Sequence, residues 1–337
     1  FLLTLLCVLQ GWFGSVDTWI AAFGYSPLVN SLLFFGLIFV VSDVLSLPFD
    51  YYSTFVIEEK YGFNKTTVQT FFMDKLKAYL LSLLVGGGLL LVFLWLIHSM
   101  GPDFWWQFWI VAVVFMVLVN VGYTAWILPL FNTLTPLAEG ELRDKLLQYA
   151  AKVNFPVKHI FVMDGSRRSA KANAFFSGFG KQKKVVLYDT LLEQHTPEEL
   201  VAVLAHEIGH YKKKHLKWGM LVSVVEVGLL LFLLGQVVFS ESMSLALGGT
   251  ALSVPLNIIG FTMLFAPLSM LMGIGMNALS RKHEFEADAY AKETFGGKPL
   301  AEALKTLSVK SLSTLYPHSW YVFVNYSHPP LLERLEH

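Results

Sequence analysis

The run VLAHEIGHYKKKH, ending at His215, contains His206-Glu207-Ile208-Gly209-His210. On a helix, residues i and i+4 share a face, so the imidazoles of His206 and His210 can reach one Zn²⁺. A carboxylate beside the first histidine, Glu207, suits the general base that takes a proton from an attacking water. A catalytic zinc site uses three protein ligands and keeps one position open. The third is sought in Arg281-Lys282-His283-Glu284-Phe285-Glu286-Ala287-Asp288. Glu284 and Asp288 are again i and i+4, so Glu284 can bind the metal while Asp288 accepts the outer N–H of a ligand histidine. Glu286 is the rival ligand, on the opposite face of that helix, and His283 is rotated well away. The chemistry these residues could do is hydrolysis.

These residues have to be positioned by helices, and most of the helices belong in lipid. Of 337 residues, 55% are hydrophobic and 15% charged, against about 25% charged in soluble domains. Stretches near 28–47, 76–97, 105–130, 216–238 and 254–279 each approach the roughly 20 apolar residues of a membrane helix, and 1–13 supplies part of a sixth. The aromatic cluster Phe104-Trp105-Trp106-Gln107-Phe108-Trp109 reads as an interfacial belt. Loops 15–27, 98–104 and 240–253 hold no Lys or Arg. All 25 basic residues fall in 49–77, 131–217 or 280–337. In a six-helix map those three segments share one side, which the positive-inside rule makes cytosolic.

The expected organisation is therefore membrane helices over 1–130 with a cytosolic loop at 49–77, and a protease region over 131–215. Two more membrane helices follow over 216–279, then a C-terminal part over 280–337 with the third ligand and substrate contacts. Within 131–215, Pro136 to Val153 reads as an amphipathic helix, and Ile160–Met163 and Lys184–Tyr188 as strands. Thr196-Pro197-Glu198-Glu199 opens a helix with a cap, a first-turn proline and a capping-box glutamate. Zero net charge gives a nucleic-acid partner no electrostatic support. The single cysteine, Cys7, excludes intrachain disulfides and reads as a small hydrophobe. Asp43, Asn120 and Glu226 are polar groups at membrane depth, read as cavity lining or helix contacts.

The residues resemble the type I CAAX prenyl endopeptidases, membrane zinc proteases of the gluzincin group. The resemblance is carried by STFVIEEKYGFN (53–64), NAFFSGFGKQKKVVLYDTLL (173–192), the HEIGH helix, LSRKHEFEADAYA (279–291) and YSHPPLLERL (326–335). It implies a mainly α integral membrane protein, a multi-helix transmembrane barrel or chamber with a zincin-like α/β protease subdomain on the cytosolic side. Seven helices are implied, and since the chain opens on Phe1 inside an apolar run, a preceding segment is expected to carry the first. One Zn²⁺ per chain is implied on His206, His210 and Glu284, with Glu207, His328 and Asp288 as catalytic residues. Asn173, His328 and Arg334 would bind substrate, as would the strand residues Val185, Val186 and Leu187 through main-chain pairing at a sheet edge. The implied substrates are peptides or prenylated protein C-termini, cut to release the last three residues. Other implied partners are membrane lipids and no nucleic acid. The membrane would be the endoplasmic reticulum in a eukaryote or the inner membrane in a bacterium. A bacterial-type quality-control protease and a non-catalytic binding chamber are the alternatives.

Overall fold

Apolar helices account for most of the chain because a segment crossing a bilayer must satisfy its backbone hydrogen bonds internally. In the computed structural model, which describes residues 2–177 and 183–337, four helical stretches are long and apolar enough to cross a membrane. They are Pro27–Glu58, Val68–Phe131, His215–Val237 and Val254–Thr294. The second is 64 residues long, enough for two crossings at about 1.5 Å per residue. It reverses where Gly101, in the left-handed region at φ 59°, precedes Pro102. Beyond that turn Phe108 packs back against Phe93, ring centroids 4.7 Å apart. Helical arms on either side of that turn cover the separate spans expected at 76–97 and 105–130. Near the N-terminus, Leu2–Leu9 and Trp12–Ala21 form a pair bent by 61°.

Two units are distinguished. The first comprises residues 1–53, 72–116 and 221–269. Its interior is Leu94, Ile97, Phe104, Leu231, Leu234 and their neighbours. Asp43, expected at a cavity or a helix contact, makes a helix contact: Tyr79 donates to it and the Lys75 ammonium lies 3.6 Å away.

The second unit comprises residues 54–71, 117–220 and 270–337. Its four-stranded sheet has the order β1-β2-β4-β3, with β1 at Leu134–Pro136, β2 at Val157–Met163, β3 at Ala174–Ser177 and β4 at Lys183–Tyr188. β4 runs parallel to β2 and antiparallel to β3. The predicted helix from Pro136 begins only at Glu141, because Pro136 closes β1. The sheet packs on the HEIGH helix, Pro197–Lys212, through Val185, Leu187, Leu200, Leu204 and Ile208, all fully buried. That helix starts as its sequence dictates. Thr196 accepts from the Glu199 N–H, and Glu199 accepts from the Thr196 N–H, with Pro197 in the first turn.

No helix break falls near residue 280, where the membrane part was expected to give way to the C-terminal part. Val254–Thr294 is one 41-residue helix, since Leu279-Ser280-Arg281 contains neither Gly nor Pro to end it. Its C-terminal part crosses the HEIGH helix at Gly209. A Cβ there would lie 3.0 Å from Cα of Ala287 and 3.2 Å from Cβ of Tyr290. The glycine of HEIGH is thus what allows the two backbones to close, and any side chain would drive them apart.

Candidate active site

Where the two helices cross, His206 and His210 from one meet Glu284 from the other. The His206 and His210 Nε2 atoms are 3.1 Å apart, and lie 3.5 and 3.3 Å from the Glu284 carboxylate oxygens. One donor atom from each residue falls within 4.8 Å of the other two. Two neutral nitrogens and one carboxylate converging in this way can hold a divalent cation with a position left open. Glu286 does not join them, because two residues along the helix put it on another face.

Asp288 stands behind His206, its Oδ1 2.8 Å from Nδ1. This is the carboxylate–histidine arrangement that fixes a ligand's tautomer. Burial alone would depress the His206 pKa, but hydrogen bonds to the Asp288 and Glu284 carboxylates outweigh it and lift the group to about 9. The metal-free site therefore keeps a proton on His206 at neutral pH, and a captured cation must displace it. Metal affinity is expected to rise about tenfold per pH unit toward pH 9 and then level. Chelator-competition titrations at several pH values check this, and a flat profile would show that no proton is displaced.

Glu207 lies beside the cluster, and among the described residues no hydrogen bond ties its carboxylate. Burial pushes its pKa above the ordinary carboxylate range, against the pull of His206 and His210. An untethered carboxylate with raised proton affinity suits a group that must accept a proton and pass it on.

His328 is two-thirds exposed, with Nδ1 3.1 Å from Glu284 Oε2, so it borders the cluster on its open side. The helix that leads into its loop, Ser319–Asn325, is held by two residues that sequence reasoning did not single out. Arg281 donates to the carbonyls of Val322 and Tyr326, at 3.1 and 2.6 Å, and Asn277 donates to that of Val324 at 2.8 Å. Arg281 lies inside the LSRKHEFEADAYA run, but its partners are some forty residues away and no local pattern reveals them.

Arg334, expected among the substrate contacts, is committed elsewhere. Its guanidinium donates twice to Asp288, at 2.8 and 2.7 Å, and Nη1 lies 3.5 Å from Glu284. The fork that a substrate carboxylate would need is occupied by the carboxylate that supports His206.

The strand expected to receive substrate needs correction. Val185, Val186 and Leu187 are paired on both sides, with Ile160, Phe161 and Val162 of β2 and with Phe176, Phe175 and Ala174 of β3. Their side chains are buried as well, so β4 is the centre of the sheet and not its edge. The edge is β3. The Tyr188 N–H donates to the Asn173 carbonyl, and alternation along an antiparallel pair then turns the main-chain groups of Ala174 and Phe176 outward. In agreement, the Ala174 N–H is taken by the side-chain oxygen of Asn173 at 2.8 Å, not by β4. Asn173 therefore stands at the head of an edge strand that has no strand partner on its outer side among the described residues.

Comparison with known proteins agrees with this geometry. Residues 1–133 match the family model for the CAAX prenyl protease N-terminal region with five membrane helices, and residues 136–337 the model for peptidase family M48. The chain is 38% identical over 326 residues to CAAX prenyl protease 1 of Saccharomyces cerevisiae, covering 92% of this chain and 72% of that one. To the CAAX prenyl protease 1 homolog of Oryza sativa subsp. japonica it is 39% identical over 315 residues, covering 92% and 73%. The crystal structure of S. mikatae Ste24p superposes with a TM-score of 0.93 at 34% identity, over 98% of this chain and 82% of that one. With both halves matched in order and the ligand cluster formed, the chain belongs to peptidase family M48 and is a membrane metalloendopeptidase of the CAAX prenyl protease type.

Proposed function

We propose that this enzyme binds one Zn²⁺ per chain and removes the C-terminal tripeptide of prenylated CAAX-type substrates, with its active site on the cytosolic side of the membrane. The observation that carries the reading is the convergence of His206, His210 and Glu284 beside an untethered Glu207. A donor set of two imidazoles and a carboxylate fits zinc. The relatives, CAAX prenyl proteases, support the substrate class, and the confinement of Lys and Arg to three segments supports the cytosolic side.

Zinc, when bound, supplies Lewis acidity toward a water and toward the scissile carbonyl. The protein's own residues do the rest. The outward N–H of Phe176 and the outward carbonyls of Ala174 and Phe176 are suited to pair with an extended peptide, giving affinity without reading its sequence. Asn173 both donates and accepts, as a peptide group requires. Glu207 takes the proton of the attacking water and delivers it to the leaving amine. His328 donates toward the oxygen on which charge develops. A prenyl chain would keep the substrate at the bilayer while its C-terminus is cut.

The test is metal content and cleavage by the detergent-purified chain, with farnesylated and unfarnesylated CAAX peptides, before and after chelation. About one zinc per chain is expected, with activity lost on chelation, restored by zinc, and higher on the farnesylated peptide. Folded protein with neither zinc nor cleavage would overturn the reading. Equal cleavage of both peptides would overturn the prenyl specificity alone.

A further inference from the structure

The two ligand histidines are supported differently. His206 has the Asp288 carboxylate behind it, but Nδ1 of His210 faces another imidazole, with Nδ1 of His215 3.0 Å away. His215 is buried. It begins the helix that follows the HEIGH helix, and Lys214 between them is a non-glycine residue in the left-handed region, at φ 65°. That turn breaks the helical path and brings His215 back against His210 at a spacing of five residues. On its far side, Nε2 of His215 lies 2.9 Å from Glu286 Oε2. His283 stacks flat on the same ring, centroids 3.9 Å apart and planes 8° from parallel. Ring position and ring plane are thus both held.

The donor and acceptor roles along this chain follow from one end. The Glu286 carboxylate can only accept, so Nε2 of His215 carries the proton and its Nδ1 presents a lone pair. That lone pair accepts the Nδ1–H of His210. Nε2 of His210 is then left unprotonated, facing His206 and Glu284, as a metal ligand must be. We propose that Glu286 and His215 are positioning residues, a relay that fixes the tautomer and orientation of His210 as Asp288 does directly for His206. Glu286 is too far around its helix to join Glu284 as a ligand, and it reaches the site through His215 instead. One helix then supplies the third ligand, Glu284, and the carboxylates behind both histidines, Asp288 and Glu286.

The relay rests on reading His206, His210 and Glu284 as metal ligands, and its test separates the two ideas. Zinc affinity is measured by chelator competition on the purified full chain for wild type, His215→Ala, Glu286→Ala and the double variant. Visible absorption of the cobalt-loaded proteins reports ligand geometry, and the unfolding midpoints of the metal-free proteins report the fold. Each single variant is expected to weaken metal binding by roughly 10–100-fold, the usual effect of losing such an outer partner. The double variant should be no weaker than His215→Ala, because Glu286 acts only through His215. The cobalt bands should shift in the same way in all three. Additive losses, or wild-type affinity in Glu286→Ala, would overturn the relay while leaving the metal site intact. Wild-type protein that binds no metal would overturn the ligand reading itself. Glu286 is partly exposed, so its variant reads the relay even if His215→Ala unsettles the fold.

Discussion

Glu207→Gln is expected to lower kcat for peptide cleavage by roughly 10²–10⁴-fold, the range that a positioned general base contributes, and to leave metal content unchanged. Glutamine has the shape of glutamate and still hydrogen-bonds, but it cannot take a proton. Glu207 is next to His206 in sequence, yet about 100° around the helix from it, so its side chain borders the ligand cluster without belonging to it. Burial raises its proton affinity, which strengthens it as a base toward a water already made acidic. The loss should therefore fall on kcat and leave KM nearly untouched, since no contact to bound peptide is removed. A fluorogenic peptide assay with parallel metal analysis decides. A variant with more than a tenth of wild-type kcat would move the base elsewhere. A variant that has lost its metal would make Glu207 a structural member of the site.

The cluster was legible in the sequence because helical periodicity turns a spacing into a face. His206 with His210, and Glu284 with Asp288, are both i,i+4 pairs, and each helix was marked out locally, the first by its Thr196 capping box. What could not be read was whatever depends on order in space. The segment around Val185, Val186 and Leu187 is apolar and β-branched, which suits a strand buried between two others. That same character marked it as a strand without saying that β3 would cover its outer side. β3 itself is four residues long and gives too little periodicity to announce an edge. A helix break was expected near residue 280, where composition turns polar, but a helix ends at Gly, Pro or a cap and not at a change of polarity. His215 lay in plain view five residues after His210. Its role depends on the left-handed turn at Lys214 and on Glu286, 71 residues away, and neither has a local signature.

Arg334 shows how far such a long-range partner can redirect a reading, and it carries the second large expected effect. Asp288→Ala should destabilise the protein by about 3–5 kcal/mol, as removing one partner of a buried ion pair does. The Arg334 side chain is 11% exposed, and without Asp288 its nearest carboxylate is Glu284, 3.5 Å away. Two charge-assisted hydrogen bonds are lost at once, and the Nδ1–H of His206 loses its acceptor as well. A lower unfolding midpoint and a loss of metal affinity are therefore expected together. Asp288→Leu combined with Arg334→Leu removes both charges and fills the space with apolar atoms, so it should recover much of the midpoint. It should not recover metal affinity, because His206 remains unsupported. That split is what identifies the pair's two tasks. If Arg334 instead served substrate, Arg334→Leu alone would raise KM at an unchanged midpoint. The two hydrogen bonds to Asp288 require the reverse, a lowered midpoint at an unchanged KM, since the Asp288 carboxylate would lose the guanidinium held against it.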